Sequence, residues 1–107
     1  MEYVFIKSGT AMYGMDLKDI YFIEGIQGYR LLHTSDNTIK TLVQMQDLEK
    51  LLPEEEFVRI HKSYIVRIDK ITFVDYPHLM VKGKTKMLNI GATYKGDLFK
   101  RLNILQG

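Results

Sequence analysis

Short runs of β-branched and aromatic residues, each broken by a turn signal within a few positions, constrain this chain more than any other feature. Tyr3–Ser8 runs into the turn Ser8-Gly9-Thr10, and Ala11–Met15 follows, with Gly14 expected to mark a bulge. Asp16-Leu17-Lys18-Asp19 has the composition of a single helical turn. Ile20–Gln27, Tyr29–Thr34 and Thr38–Leu42 come next. Gly28 separates the first two, and Ser35-Asp36-Asn37, whose Asx side chains hydrogen-bond the local backbone, separates the last two. Five strands joined by such tight connections pair antiparallel, in a meander-like sheet.

The period changes in mid-chain. Met45, Leu48, Leu51 and Leu52 recur at helical spacing, and Pro53 closes the helix. Glu54-Glu55-Glu56 reads as a solvated acidic run. Strand character returns at Phe57–Ile60 and continues to Arg67, and Asp69-Lys70 makes a turn. Ile71–Asp75 alternates, with Ile71 and Phe73 on one side and Thr72 and Val74 on the other. His78–Val81 and Met87–Ile90 flank the basic loop Lys82-Gly83-Lys84-Thr85-Lys86. Leu98, Leu102 and Leu105 place a helix over Tyr94–Leu105. The expected fold is mainly β and antiparallel, with one short mid-chain helix and a C-terminal helix. No repeat or linker divides residues 1–107, which read as a single domain.

Composition narrows the chemistry. With no Cys, the chain has no disulfide scaffold, Cys-ligated iron–sulfur cluster, thiolate zinc site or Cys nucleophile. A chain of 107 residues is long enough to hold a core without them. No apolar run approaches the roughly 18–20 residues of a spanning helix. Glu2 stands where a signal peptide carries a base, so a soluble cytoplasmic protein with no membrane partner is expected. His33, His61 and His78 fall in no metal or nucleophile spacing, and the Gly residues form no phosphate loop. No catalytic residue, metal or cofactor is expected.

Charge is unevenly distributed. Residues 1–56 carry five bases against ten acids, net −5, and residues 57–107 carry ten bases against three acids, net +7. That asymmetry points to a polyanion-facing surface built from the second half. Within it, Phe57, Ile60, Ile65 and Val66 are apolar anchors around Arg59, His61, Lys62, Ser63 and Tyr64. These side chains offer the donors that phosphates and base edges accept from. His61 and Ser63 serve equally well to satisfy local backbone in a turn, whereas a Lys such as Lys62 is seldom buried.

Phe57-Val58-Arg59-Ile60-His61-Lys62-Ser63-Tyr64-Ile65-Val66 resembles the signature of the LytTR family of bacterial DNA-binding domains. Phe5-Ile6-Lys7-Ser8-Gly9, the stretch Asp19–Gly25 with Tyr29 after it, and the short helix before Phe57 agree in order and spacing, so the resemblance spans essentially the whole chain. It implies three small antiparallel sheets side by side. It further implies that loops, not a recognition helix, are placed in successive grooves of double-stranded promoter repeats. Such domains usually follow a receiver domain in a response regulator served by a sensor kinase, and two copies can pair on DNA. On this resemblance the chain is an excised output domain or a stand-alone regulator.

Carried over by position, three places face DNA: Gln27-Gly28-Tyr29-Arg30, His61-Lys62-Ser63, and Gly91-Ala92-Thr93-Tyr94-Lys95. In the third, the family often has Ser-Arg or a nearby Arg. Here Gly91, Ala92 and Thr93 stand instead, which leaves Thr93 and Lys95 to hold phosphate. Lys62, Lys95, Arg59 and Lys7 are expected to neutralise phosphates, and Tyr29, Arg30, His61 and Lys62 to read sequence. Arg30, with its planar fork, is expected to read guanine without contributing to stability, unless it is a strand residue tied to an acid such as Glu24. Arg67 replaces a common Asn, with no consequence evident from sequence. The basic loop Lys82–Lys86 is expected to add only nonspecific attraction. The rival readings are an all-β protein-interaction module and RNA binding by stacking on Tyr29 and Tyr64.

Overall fold

The computed structural model describes residues 2–83 and 86–107. β1 (Tyr3–Ser8) and β2 (Ala11–Asp16) form a hairpin in unbroken register, from Tyr3 opposite Asp16 to Ser8 opposite Ala11. Gly14 therefore makes no bulge. A Cβ there would lie 2.9 Å from both the Phe5 ring and the Tyr3 hydroxyl. The bare backbone makes room for these two rings, which meet edge-on at 5.7 Å on the hairpin's exposed outer face. Asp16 then caps a 3-10 turn, Leu17–Asp19, by accepting from the Lys18 amide at 3.0 Å.

The central sheet has five strands. In chain order they are β3 (Ile20–Ile26), β4 (Tyr29–Thr34), β5 (Thr38–Thr41), β6 (Phe57–His61) and β7 (Tyr64–Arg67), with α1 (Met45–Leu51) between β5 and β6. Their spatial order is β5-β4-β3-β7-β6, with every neighbour antiparallel. A third sheet follows, from β8 (Ile71–Asp75), β9 (His78–Val81) and β10 (Leu88–Asn89), and α2 (Lys95–Arg101) ends the ordered elements. The fold is mainly β, with three small antiparallel sheets, a short mid-chain helix and a C-terminal helix. Its principal extents are 51 × 27 × 26 Å.

The central sheet is buried on both faces, because successive residues of its middle strand point opposite ways and both are apolar. Ile23, Leu32, Ile39 and Ile65 pack with Val4, Ile6 and Met15 of the hairpin and with Met45 and Leu48 of α1. Phe22 and Val66, on the other face, pack with Leu79, Val81 and Leu88 of the third sheet and with Leu98 of α2. Leu98 is fully buried, and a side chain so placed contributes about 1.5–3 kcal/mol.

Three expectations are corrected here. α2 stops at Arg101: Leu102 is extended, at φ −87° and ψ 131°, and Leu105 is 96% exposed. Arg101 fastens the last turn by donating to the carbonyls of Glu54 and, at 2.9 Å, Phe57. Leu102 still packs on the core from its extended position, but Ile104 and Leu105 are exposed, and short helices persist only where packing supports them. In β8 the pairing with β9 shifts between Ile71 and Phe73, which breaks the alternation. Ile71 and Val74 therefore pack on the core, while Phe73 is exposed.

The acidic run is not simply solvated either. The Glu56 carboxylate lies 2.9 Å from Arg67, a buried cation that also pairs with Asp69 at 2.8 Å and donates to the Leu17 carbonyl at 3.2 Å. Arg67 thus ties β7 to the 3-10 turn after β2. In the basic loop, Lys84 and Thr85 lie outside the described residues. Among the described residues, no helix is long and apolar enough to cross a membrane.

Candidate nucleic-acid interface

Strand register gathers the three sequence-predicted segments at one end of the central sheet. Glu24 of β3 is opposite Tyr64 of β7, and the Gly25 amide donates to the Ser63 carbonyl at 2.7 Å. The β3–β4 and β6–β7 turns therefore lie side by side. The Gly91 amide donates to the Ile60 carbonyl at 2.7 Å, which anchors the start of the third segment beside the second.

The second segment has Lys62 at its apex. Lys62 is exposed, and its ammonium makes no ion pair or hydrogen bond among the described residues. The Ser63 amide donates to His61 Nδ1 at 3.1 Å, so His61 does satisfy local backbone. With Nδ1 accepting, a neutral ring carries its proton on Nε2, the nitrogen left to donate. The ring tilts against Tyr64 at 5.5 Å. Arg59 is half-buried beneath this turn. Its Nη2 donates to the Lys62 carbonyl at 2.6 Å, its Nε to the His61 carbonyl at 3.3 Å, and its Nη1 to Glu49 of α1 at 3.0 Å.

The first segment turns at Gly28, whose φ of 89° is the left-handed conformation that glycine supplies without strain. Tyr29 lies under the Lys40 ammonium, 4.4 Å from the ring centroid. Arg30 is a strand residue, and its guanidinium is bound not to Glu24 but to backbone: Nε donates to the Val43 carbonyl and Nη2 to the Leu42 carbonyl, both at 2.8 Å. Those carbonyls lie just past β5, where no strand pairs with them. In the third segment, Thr93 and Lys95 are exposed at the junction of the 3-10 turn Ala92–Tyr94 with α2. The Lys95 ammonium stands 4.2 Å from the Tyr76 ring centroid.

Glu24, Lys86, His33 and Glu49 belong to this region, and sequence reasoning did not assign them to it. Lys86 Nζ lies 2.6 Å from one Glu24 carboxylate oxygen, and His33 Nε2 lies 3.1 Å from the other. Burial pushes the Glu24 pKa up. The hydrogen bonds and charges of Lys86 and His33 outweigh it and hold the carboxyl below its ordinary value. The hydrogen bond to Glu24 raises the Lys86 pKa. The pair is 62 residues apart in sequence, beyond any local pattern. Of the basic loop, then, Lys86 reaches the same end of the sheet as the contact segments.

Three loop segments thus lie together at one end of the central sheet, with cations among them. The family of LytTr DNA-binding domains matches residues 10–103, and the chain belongs to it. Among similar proteins, the sensory transduction protein LytT of Bacillus subtilis is 28% identical over 101 residues, covering 90% of this chain and 42% of LytT. LytT of Bacillus cereus is 30% identical over 95 residues, covering 84% of this chain and 38% of its own length. The transcriptional regulatory protein NatR of Bacillus subtilis is 31% identical over 68 residues, covering 64% of this chain and 29% of NatR. The chain thus spans less than half the length of these relatives. A solved LytTr DNA-binding domain from Bacillus cereus has the same fold, with a TM-score of 0.81 at 18% identity over 97% of this chain and 99% of that one.

Proposed function

We propose that the chain is the output module of a bacterial transcription regulator and binds a specific double-stranded DNA site through the loop-bearing end of its central sheet. The observation that carries this reading is the convergence of Gln27–Arg30, His61–Ser63 and Gly91–Lys95 at that one end. Lys62 and Lys95 neutralise phosphates. His61, through Nε2, and Tyr29 face base edges, with Ser63 and Thr93 as further donors. Arg30 turns its Nε–Nη2 edge to backbone carbonyls, which leaves Nη1 to face a base or phosphate. Its similarity to a sensory transduction protein and a transcriptional regulatory protein supports a place in signal-responsive transcription. We further propose, on the family resemblance, a two-component system with a receiver domain addressed by a sensor kinase and two copies on neighbouring repeats.

The test is binding to duplex DNA selected from random sequence, with single-stranded DNA and RNA as competitors and salt as a variable. The proposal expects a preferred duplex whose log affinity falls steeply with log salt. Preference for RNA, or binding that is flat in salt, contradicts it.

A further inference from the structure

Arg59 has the charge of a phosphate contact, yet its surroundings give it another part. One guanidinium donates to the carbonyls of His61 and Lys62, to Glu49 of α1, and lies 5.9 Å from the Tyr94 ring centroid. It therefore touches four groups on three elements: the β6–β7 turn, the mid-chain helix and the 3-10 turn that opens the third segment. The Gly91 amide bonded to the Ile60 carbonyl, between Arg59 and His61, adds to the Arg59–Tyr94 contact as a second tie to the third segment. The side chain is 18% exposed, and Nε, Nη1 and Nη2 each have an acceptor.

We infer that Arg59 is a positioning residue: it sets the β6–β7 turn, and with it Lys62, against the third segment, and it makes no DNA contact of its own. This rests on the DNA-binding reading above. A planar fork can bridge acceptors on either side of the turn, whereas a lysine ammonium, a single point charge, cannot hold the same set. Glu49 accepts from the outer nitrogen at the surface and fixes the fork's orientation. Over the turn the Ser63 carbonyl is held by the Gly25 amide, and the guanidinium holds the carbonyls of His61 and Lys62 beside it.

The experiment is a double-variant cycle on the preferred duplex with Arg59→Lys, Arg59→Ala and Lys62→Ala, measuring affinity, its salt slope and the melting temperature of each protein. Arg59→Lys should weaken binding about as much as Arg59→Ala, on the order of tenfold, because charge without the fork does not brace the turn. In the Lys62→Ala background, either change at Arg59 should cost clearly less than its roughly tenfold alone, because the part exerted through Lys62 is already gone and only the His61 and Ser63 contacts remain to lose, and it should leave the salt slope unmoved. A phosphate contact predicts the opposite: Arg59→Lys keeps affinity, losses multiply to about a hundredfold with Lys62→Ala, and Arg59→Ala takes a further unit from the slope. Those results overturn the inference and leave DNA binding intact. If Arg59→Ala melts below the assay temperature, the Arg59→Lys cycle decides by itself. Failure of the unaltered chain to bind any duplex overturns the DNA reading and this inference with it.

Discussion

The β3–β4 and β6–β7 turns lie side by side at the same end of one sheet, and each brings a cation, yet the two cations are held in opposite ways. Arg30 is a strand residue whose Nε and Nη2 close onto the Val43 and Leu42 carbonyls. Lys62 sits at the apex of its turn, exposed, with its carbonyl held by Arg59 and its ammonium unpaired among the described residues. Neighbouring backbone decides the difference. Beside Arg30, the chain leaves β5 with carbonyls that no strand pairs, and a guanidinium is the group that can satisfy two at once. Beside Lys62, the nearest carbonyls are already served by Arg59. Sequence displays which cation stands in a loop, but not whether the chain returns acceptors to it.

The largest effect expected from breaking this pattern lies away from the loops, at Arg67. It is buried at the far end of β7, between Glu56, Asp69 and the Leu17 carbonyl. Arg67→Ala leaves Glu56 and Asp69 without their cation and takes one of two donors from the Leu17 carbonyl, which keeps the Ile20 amide, and should cost about 2–3 kcal/mol by chemical denaturation. The salt slope of DNA binding should not change. The next largest is Arg30→Ala, which should cost about 1–2 kcal/mol of stability through its two carbonyl bonds. An unchanged melting temperature with a lost base preference would show that the observed bonds give way to DNA.

Acid titration sharpens the account of the Glu24 cluster. Lys86 and His33 keep the Glu24 pKa below its ordinary value of 4.5, so its contribution to stability is fully present above that value. It is lost as pH falls through the lower, folded value. Glu24→Gln should therefore flatten the fall in melting temperature below about pH 4.5, and equal acid sensitivity in both proteins would remove Glu24 from the explanation. The smallest stability effect belongs to Lys62→Ala, within about 0.5 kcal/mol of the unaltered chain. Its binding should nonetheless weaken on all duplexes, with the salt slope lower by about 1. A Lys62→Ala variant as unstable as Arg30→Ala would erase the contrast between the turns.

Much of this architecture was legible in the residue order, because strand and turn chemistry are local. Ser8-Gly9-Thr10 and Gly28 punctuate β1–β2 and β3–β4 as their residue types predict, and Met45 and Leu48 face the core at helical spacing. What escaped was set by partners distant in sequence. The leucine spacing continues to Leu105, but α2 ends where Arg101 docks on the Glu54 and Phe57 carbonyls. Phe73 fits an alternating strand, but a register shift against β9 turns it outward. His61-Lys62-Ser63 stood out through the family signature, and the other two segments by position in the wider resemblance. Their partners did not: Glu49 for Arg59, Glu24 for Lys86, and Leu42 and Val43 for Arg30 come together only when strands pair.

The most direct test of where this domain meets DNA is an amide chemical-shift titration of the chain with its preferred duplex. The account predicts the largest shifts in residues 27–30, 61–63 and 91–95, at the loop-bearing end of the central sheet, with little change in the β1–β2 hairpin at Tyr3, Phe5 and Met12. Shifts concentrated in that hairpin, with the three segments silent, would contradict it.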